Sequence, residues 1–233
     1  MNKLIVVLAL VPCSALQAQL NSGGAIAGSL SGDDGTKITG GYVSLSLKPP
    51  YPARSRLRKA WASVSDVNGI FRFYGLSSGT YEICTQVPKS VWLSSCSWGV
   101  PAQTVSISAA QPSGSVAIVL RKGAVVTVRV DDTAQLLASN EGKSAGADFL
   151  VGVGHDTLVF EPALVQSTDA SGRTQQVVIP YNYSANLLVF SSFFKLADAT
   201  GAPLPTNARI PITVSRGQPS PVIKLSVTGG GKP

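Results

Sequence analysis

The stretch that decides the fold runs from Ser65 to Ile83 and reads SDVNGIFRFYGLSSGTYEI. Its Asp-x-Asn-Gly segment, residues 66–69, is typical of a hairpin turn, because Asp can cap backbone amides while Asn and Gly tolerate positive φ. The strand that follows alternates in side-chain direction, so Phe71 and Phe73 point to one face of a sheet. The residues expected on the opposite face are Ile70, Arg72 and Tyr74.

The second half of the same stretch returns the chain to the same core. Gly75 and Gly79 allow a sharp turn. That turn brings Tyr81 and Ile83 of the next strand inward beside the phenylalanines. The stretch therefore forms a turn whose flanking strands contribute to the hydrophobic core, and we expect it to have no part in catalysis.

Apolar alternation recurs along the whole chain, whereas helical periodicity never lasts more than a turn or two. Short alternating runs separated by turns rich in Gly, Asp, Pro and Ser indicate antiparallel β-sandwich architecture. The strands predicted in the first half are Ala25–Ser29, Tyr42–Leu47, Ala60–Ser65, Ile70–Tyr74, Thr80–Val87, Gln103–Ile107 and Ser115–Leu120.

The second half of the sequence echoes the first half about a hundred residues later, in the same order, which predicts two copies of one unit. The short link Arg121-Lys122-Gly123 implies that the two units pack end to end. The expected organisation is a signal peptide at 1–18, sandwiches at 22–121 and 122–228, and a flexible tail at 229–233. The echoing segments are GAIAGSL and GAVVTVRV, GGYVSLSL and GADFLVGVG, SVSDVNGIFRF and STDASGRTQQV, and GLSSGTYEI and IPYNYSANLLV.

Composition and the N-terminus indicate export. Of the 233 residues only 13% are charged, as is typical of turn-rich β-structure, and the formal net charge is +7. The N-terminus has the pattern of a secretory signal peptide: the positive charge of Lys3, an apolar run to Pro12, and then small residues before the cleavage site. We expect cleavage after Ala18. The run is too short to span a bilayer. We expect a periplasmic, cell-surface or secreted protein, which argues against a nucleic-acid partner.

The cysteines fit the same location. Leu10-Val11-Pro12-Cys13 is similar to a bacterial lipobox, although proline replaces the small residue that this motif prefers. We expect Cys13 to leave with the signal peptide, and a lipid anchor at Cys13 is the alternative. Cys84 and Cys96 then remain, and an even pair in an exported protein is most simply a disulfide.

The first unit resembles the carboxypeptidase regulatory-like domain. The resemblance rests on GAIAGSLSGDDGTKITGGYVSLSL, on SVSDVNGIFRFYGLSSGTYEI and on the spacing between them, and it covers about Gly24 to Leu120. It implies a transthyretin-like (prealbumin-type) sandwich, grouped with carbohydrate-binding-like and Cna-B-like folds. The stretch YEICTQVPKSVWLSSCSWG looks like a cysteine-stapled variant found in exported bacterial members. The resemblance implies a structural, adhesive or ligand-presenting module, since no zinc peptidase domain accompanies it.

The most distinctive surface candidate is KPPYPARSRLRKAW, residues 48–61. Proline keeps its first part extended, and its crowded cations could dock on an anionic polymer. A solvated loop is the alternative. A second aromatic pair lies at the cysteines, where packing against the disulfide competes with sugar binding. The candidate ligand-binding residues are Tyr51, Arg54, Arg56, Arg58, Lys59, Trp61, Trp92 and Trp98.

No complete catalytic constellation is present in the sequence. His155 is the only histidine, and its neighbour Asp156 would face the opposite way along a strand. Ser192 and Lys195 fit Ser-x-x-Lys, but the Ser-Asp-Asn and Lys-Thr-Gly companions of that chemistry are missing.

The acidic pairs Asp33-Asp34 and Asp131-Asp132 offer too few oxygen ligands for calcium, so we expect solvated turns, no metal and no cofactor. The leading hypothesis is a non-catalytic exported protein that binds or presents at the cell surface, with carbohydrate or another envelope polymer as ligand. A structural spacer or assembly subunit that binds another envelope protein is the alternative, and a hydrolase ranks last.

Overall fold

The computed structural model describes residues 23–48, 60–98, 100–137, 149–154 and 160–230. These residues form sixteen β-strands in four sheets, around two separate hydrophobic cores. The predicted all-β class with two tandem sandwiches is confirmed.

Seven strands form the first sandwich. One sheet has the strand order β4-β1-β7 and the other has the order β3-β2-β5-β6. The strands are β1 (Gly24–Gly32), β2 (Tyr42–Leu47), β3 (Ala60–Val64), β4 (Ile70–Leu76), β5 (Gly79–Gln86), β6 (Gln103–Ile107) and β7 (Ser113–Leu120).

The first core is built by the alternation read from the sequence. Phe71 and Phe73 are 1% and 4% exposed, and Tyr81 and Ile83 of β5 are buried beside them. On the other face of β4, Arg72 and Tyr74 are exposed and Ile70 is partly exposed, as expected. The two sheets therefore enclose a layer of apolar side chains.

The second sandwich has sheets of order β10-β9-β13-β15 and β11-β12-β8-β16-β14. Its core is rich in Val and Leu and contains the edge-to-face pair Phe149 and Phe194. The strands are β8 (Ala124–Asp131), β9 (Phe149–Gly154), β10 (Phe160–Pro162), β11 (Leu164–Asp169), β12 (Gly172–Ile179), β13 (Tyr183–Ser191), β14 (Phe194–Asp198), β15 (Asn207–Val214) and β16 (Val222–Gly230).

The second sandwich repeats the strand order of the first. The set β4-β1-β7 corresponds to β12-β8-β16, and β3-β2-β5-β6 corresponds to β10-β9-β13-β15. Strands β11 and β14 are additions at the two edges of one sheet. The echoing sequence segments fall on corresponding strands. One pair of segments contains the starts of β1 and β8, a second pair contains those of β2 and β9, and a third contains those of β5 and β13.

Each sandwich also contains a parallel pair that the antiparallel prediction did not include. β1 pairs with β7 in parallel, and β8 pairs with β16 in parallel. The remaining strand pairs among the described residues are antiparallel. The physical reason is that the last strand of each unit returns beside the first after the chain has crossed to the other sheet.

The predicted signal peptide, Cys13 and residues 231–233 of the predicted tail lie outside the described residues, and the signal peptide stays a prediction. Gly229 and Gly230, which were expected to begin the flexible tail, instead form the end of β16. The domain boundary at residues 121–123 also remains a prediction. Within the described parts of the chain, no helix is both long and apolar enough to cross a bilayer.

Candidate functional site

The segment that follows β5 contacts both sandwiches. We call residues 87–98 the disulfide loop, because Cys96 within it is bonded to Cys84 of β5, with 5.3 Å between the two Cα atoms. The predicted Cys84–Cys96 disulfide is confirmed. The loop is also bonded to the link between the sandwiches, since Leu93 N–H donates to the Arg121 carbonyl and Gly123 N–H donates to the Val91 carbonyl.

A buried carboxylate of the second sandwich inserts into this loop. Glu161 of β10 is 8% exposed. Its Oε2 accepts a hydrogen bond from Ser97 Oγ, and its Oε1 accepts bonds from Ser94 Oγ and, at 3.3 Å, from Gln86 Nε2. Burial of a carboxylate is unfavourable unless donors satisfy it, and donors to a charged oxygen form strong hydrogen bonds. Glu161 therefore ties the second sandwich to three side chains of the first.

An aromatic contact lies beside this carboxylate. The rings of Trp98 and Tyr183 meet edge to face, with 5.5 Å between centroids, and Trp98 packs against the second core although it belongs to the first sandwich. Such pairs add about 0.5–1.5 kcal/mol to the burial of their area. The Trp98 ring therefore takes part in the contact between the two sandwiches.

Trp92 packs against the first core instead. Its ring lies so close to Gly32 that a Cβ there would come within 2.1 Å of it. Lys122 Nζ lies 5.3 Å from the ring centroid and 2.8 Å from a carboxylate oxygen of Asp34. The hydrogen bond from Lys122 holds the pKa of Asp34 below its usual range, and the same bond raises the pKa of Lys122.

The third predicted tryptophan, Trp61, packs against the first core, with its ring 5.5 Å from that of Tyr81 and edge-on to it. The Tyr81 hydroxyl donates to the Ser77 carbonyl at 2.7 Å, and burial raises the pKa of that hydroxyl. At the other end of the basic segment, Lys48 Nζ lies 3.7 Å from Glu82 Oε1. The remaining candidates of this segment lie outside the described residues: Tyr51, Arg54, Arg56, Arg58 and Lys59.

The acidic pair of the second sandwich is engaged within the fold. Asp132 is buried and accepts hydrogen bonds from the backbone N–H groups of Leu136 and Leu137. Asp131 accepts a bond from Arg129 Nε, and Arg129 also forms a two-pronged contact with Asp169. Across the described ranges, no group of three or more His, Cys, Asp or Glu side chains could hold a metal ion.

The other sequence candidates do not assemble into a site. Lys195 is exposed on β14, and its partner in the Ser-x-x-Lys match, Ser192, lies in the bend before that strand. His155 and Asp156 lie outside the described residues.

Two small clefts flank the disulfide loop. One, of about 20 Å³, lies on the Glu161 side, and the other, of about 70 Å³, lies beside Trp98 and the end of β7. Pockets for small-molecule ligands are usually about 300–1,000 Å³. These two clefts hold at most a few water molecules.

Sequence reasoning missed Glu161 altogether. In the sequence it is one glutamate between Phe160 and Pro162, with no motif around it. Its partners lie 64 to 75 positions away, so only the packing of the two sandwiches reveals its role.

No family model matches this chain, and no curated protein matches it. Among solved structures it is similar to a streptococcal ancillary pilin, at 13% identity and a TM-score of 0.39, over 88% of this chain and 62% of that one. It is also similar to a minor pilin of Streptococcus agalactiae, at 11% identity and a TM-score of 0.34, over 90% and 98% of the two chains. A DUF3823 family protein from Bacteroides uniformis matches at 9% identity and a TM-score of 0.32, over 82% and 99%.

The chain thus spans less than two thirds of the streptococcal ancillary pilin. The β-sandwich fold class rests on this chain's own sheets and cores. Membership of the carboxypeptidase regulatory-like family stays a prediction.

Proposed function

We propose that this chain is an exported, non-catalytic module that binds or presents a ligand at the cell surface. In this proposal its two sandwiches act as one rigid unit. The observation that supports this best is the junction, where Glu161 and Tyr183 of the second sandwich contact the disulfide loop and β5 of the first. The small size of the two clefts beside the loop favours a structural role for the junction over catalysis.

Rigidity can be tested directly in solution. The protein with its disulfide intact should tumble as one body, because the buried contacts of Glu161 oppose separation of the sandwiches. Residual dipolar couplings measured by NMR should fit a single alignment tensor for both sandwiches. Two independent tensors in the oxidised wild-type protein would contradict the proposal.

Export and maturation form the second part of the proposal. Mass spectrometry of protein recovered from the producing cells should give a mature chain that begins at Gln19. A chain that begins at an acylated Cys13 would instead indicate a lipid-anchored form, and an intact N-terminus in the cytoplasm would contradict export.

For the ligand, we propose an anionic or carbohydrate envelope polymer that binds the basic segment 48–61. Both ends of this segment are anchored to the first sandwich, through the Lys48–Glu82 ion pair and the packing of Trp61 on Tyr81. The points at which this segment leaves and rejoins the sandwich are therefore fixed at Lys48 and Trp61.

A pull-down on purified cell-wall polymers and a glycan array test this surface. The triple variant Arg54→Ala, Arg56→Ala, Arg58→Ala should lose binding. The matched control removes three exposed cations from strands of the second sandwich, with Lys195→Ala, Arg209→Ala and Lys224→Ala, and should bind as wild type. Equal binding by both triple variants would remove the segment from consideration, and stoichiometric co-purification with envelope proteins without affinity for polymer would favour an assembly subunit.

A further inference from the structure

The disulfide occupies a special place relative to the junction. Four side chains of the first sandwich contact the second through the hydrogen bonds to Glu161 and the ring contact with Tyr183. Every one of them lies within two positions of a disulfide cysteine: Gln86 follows Cys84, and Ser94, Ser97 and Trp98 flank Cys96.

We propose that the Cys84–Cys96 disulfide is an oxidation-dependent lock on the contact between the two sandwiches. In the oxidised protein the bond holds residues 94–98 against β5, so the two serine hydroxyls reach the Glu161 carboxylate. This goes beyond the proposed function, because it concerns when the rigid unit forms and holds for any ligand.

Without the disulfide, the loop keeps weaker attachments to β5. Ser95 N–H donates to the Thr85 carbonyl at 3.0 Å, and Thr85 N–H donates to Ser95 Oγ at 2.8 Å. Each hydrogen bond of this kind typically contributes less to stability than a disulfide does, and the disulfide also limits how far the two segments can separate. The bonds from Leu93 to Arg121 and from Gly123 to Val91 hold the earlier part of the loop. Residues 94–98 then sample positions from which Ser94 and Ser97 no longer reach Glu161.

The opening step is a thiol–disulfide exchange with a dithiol reductant. The dithiol transfers two electrons and two protons, the Cys84–Cys96 bond breaks, each Sγ becomes a thiol, and the reductant becomes a cyclic disulfide. Glu161 then loses the donors Ser94 and Ser97 and keeps only the 3.3 Å bond from Gln86 of β5. A buried carboxylate with a single long hydrogen bond is less favourable than the same group in water. The sandwiches separate so that water reaches it.

This lock matches the compartments through which an exported chain passes. In the reducing cytosol the cysteines stay reduced, and the sandwiches are not held together. In an oxidising compartment outside the cytosol the disulfide forms, and the contact between the sandwiches is made. The rigid form is therefore confined to the place where the module would work.

Residual dipolar couplings and rotational correlation times, measured with and without dithiothreitol, test the lock. The oxidised protein should fit one alignment tensor, and the reduced protein should fit two, with a correlation time that falls toward that of a single sandwich. The variant Cys84→Ser/Cys96→Ser should behave as the reduced protein without any reductant and should not respond to dithiothreitol. Glu161→Ala should also give two tensors, although its disulfide is intact.

Each contrary outcome has a distinct meaning. A single tensor for the reduced protein and for the double serine variant overturns the lock and leaves the rigid unit standing. Loss of the amide resonances of β1, β4 and β7 on reduction also overturns it, because the disulfide would then stabilise the first sandwich itself. Two tensors in the oxidised wild type count against the proposed function instead.

Discussion

At the scale of single residues, the turn before β4 shows how local chemistry sets the fold. The Asp66 carboxylate accepts hydrogen bonds from the backbone N–H groups of Asn68 and Ile70, at 2.9 and 2.8 Å. Gly69 completes the turn with φ of 74°. A Cβ at Gly69 would come within 2.3 Å of the Leu30 carbonyl oxygen, so the turn is also packed against β1.

Two glycines with similar φ values allow the cost of a left-handed backbone conformation to be separated from the cost of a steric clash. Gly75 has φ of 69°, and nothing lies within 4 Å of a Cβ built there. Gly75→Ala should therefore lower the free energy of unfolding by about 1–2 kcal/mol, the cost of a left-handed conformation. Gly69→Ala should cost clearly more, because the β1 backbone must also shift. Urea unfolding of both variants measures the difference, and equal losses would contradict it.

The ion pair between Arg129 and Asp169 should make stability depend on pH. The hydrogen bond from Arg129 lowers the pKa of Asp169, and the same bond raises that of Arg129. Because the folded-state pKa lies below the unfolded value of about 3.9, the contribution is complete above that value and is lost as pH falls through the folded one.

The variant Asp169→Asn tests this dependence. Its urea midpoint should lie below that of the wild type at pH 7, and the gap should shrink as pH falls below about 5. Arg129→Gln should weaken the same pH dependence, since it removes the partner. A gap that stays constant down to pH 2 would show that Asp169 acts only through turn geometry.

At the scale of elements, the sequence was most informative where neighbours along the chain decide the structure. The seven strands predicted in the first half correspond to β1–β7, with ends that differ by a few residues. Alternation within β4 and β5 is local, so the inward residues could be read directly. The parallel pairing of β1 with β7 could not be read, because it depends on a partner some ninety positions away.

In the second half, for which only echoing segments were predicted, β10 and β11 show a related difficulty. They are separated only by Ala163, which is buried, and the chain changes sheets at that point. A strand that bends between two sheets has no single alternation pattern. The three-residue β10 nevertheless carries Glu161, the residue that contacts the disulfide loop.

The edge strand β15 has a feature that should limit association. Among the described strands it pairs with β13 alone, and Pro211 in its middle lacks an N–H group. Proline on an edge removes one donor that another chain could use. Pro211→Val should therefore increase concentration-dependent association in sedimentation velocity experiments.

A control on the same strand distinguishes the missing donor from added hydrophobicity. Thr213 is exposed like Pro211 and lies two residues further along β15. Thr213→Val introduces a similar β-branched apolar side chain but no new N–H group. The concentration-dependent association of this variant should therefore equal that of the wild type. Association of both variants to the same degree would mean that apolar surface, rather than the edge donor, is responsible.

At the scale of the whole molecule, the junction should couple the stabilities of the two sandwiches. Leu187 is fully buried in the second core, so Leu187→Ala should destabilise that sandwich by about 2–5 kcal/mol. Hydrogen exchange followed by mass spectrometry should then show faster exchange in the disulfide loop as well. Exchange in β4, which contacts β1 and the first core, should change little.

The coupling should disappear when the junction is cut. In the background of Glu161→Ala, adding Leu187→Ala should leave exchange in the disulfide loop unchanged, because the loop no longer depends on the second sandwich. If the loop still responds, other contacts, such as that between Trp98 and Tyr183, transmit most of the effect.

The parallel pairing of first and last strands has a mechanical consequence. In each sandwich the chain enters at one end through β1 or β8 and leaves at the opposite end through β7 or β16. When tension pulls the two termini apart, neighbouring strands slide past each other lengthwise, and their hydrogen bonds resist together instead of opening one at a time as in a zipper. Such a connection suits a chain that must withstand stretching.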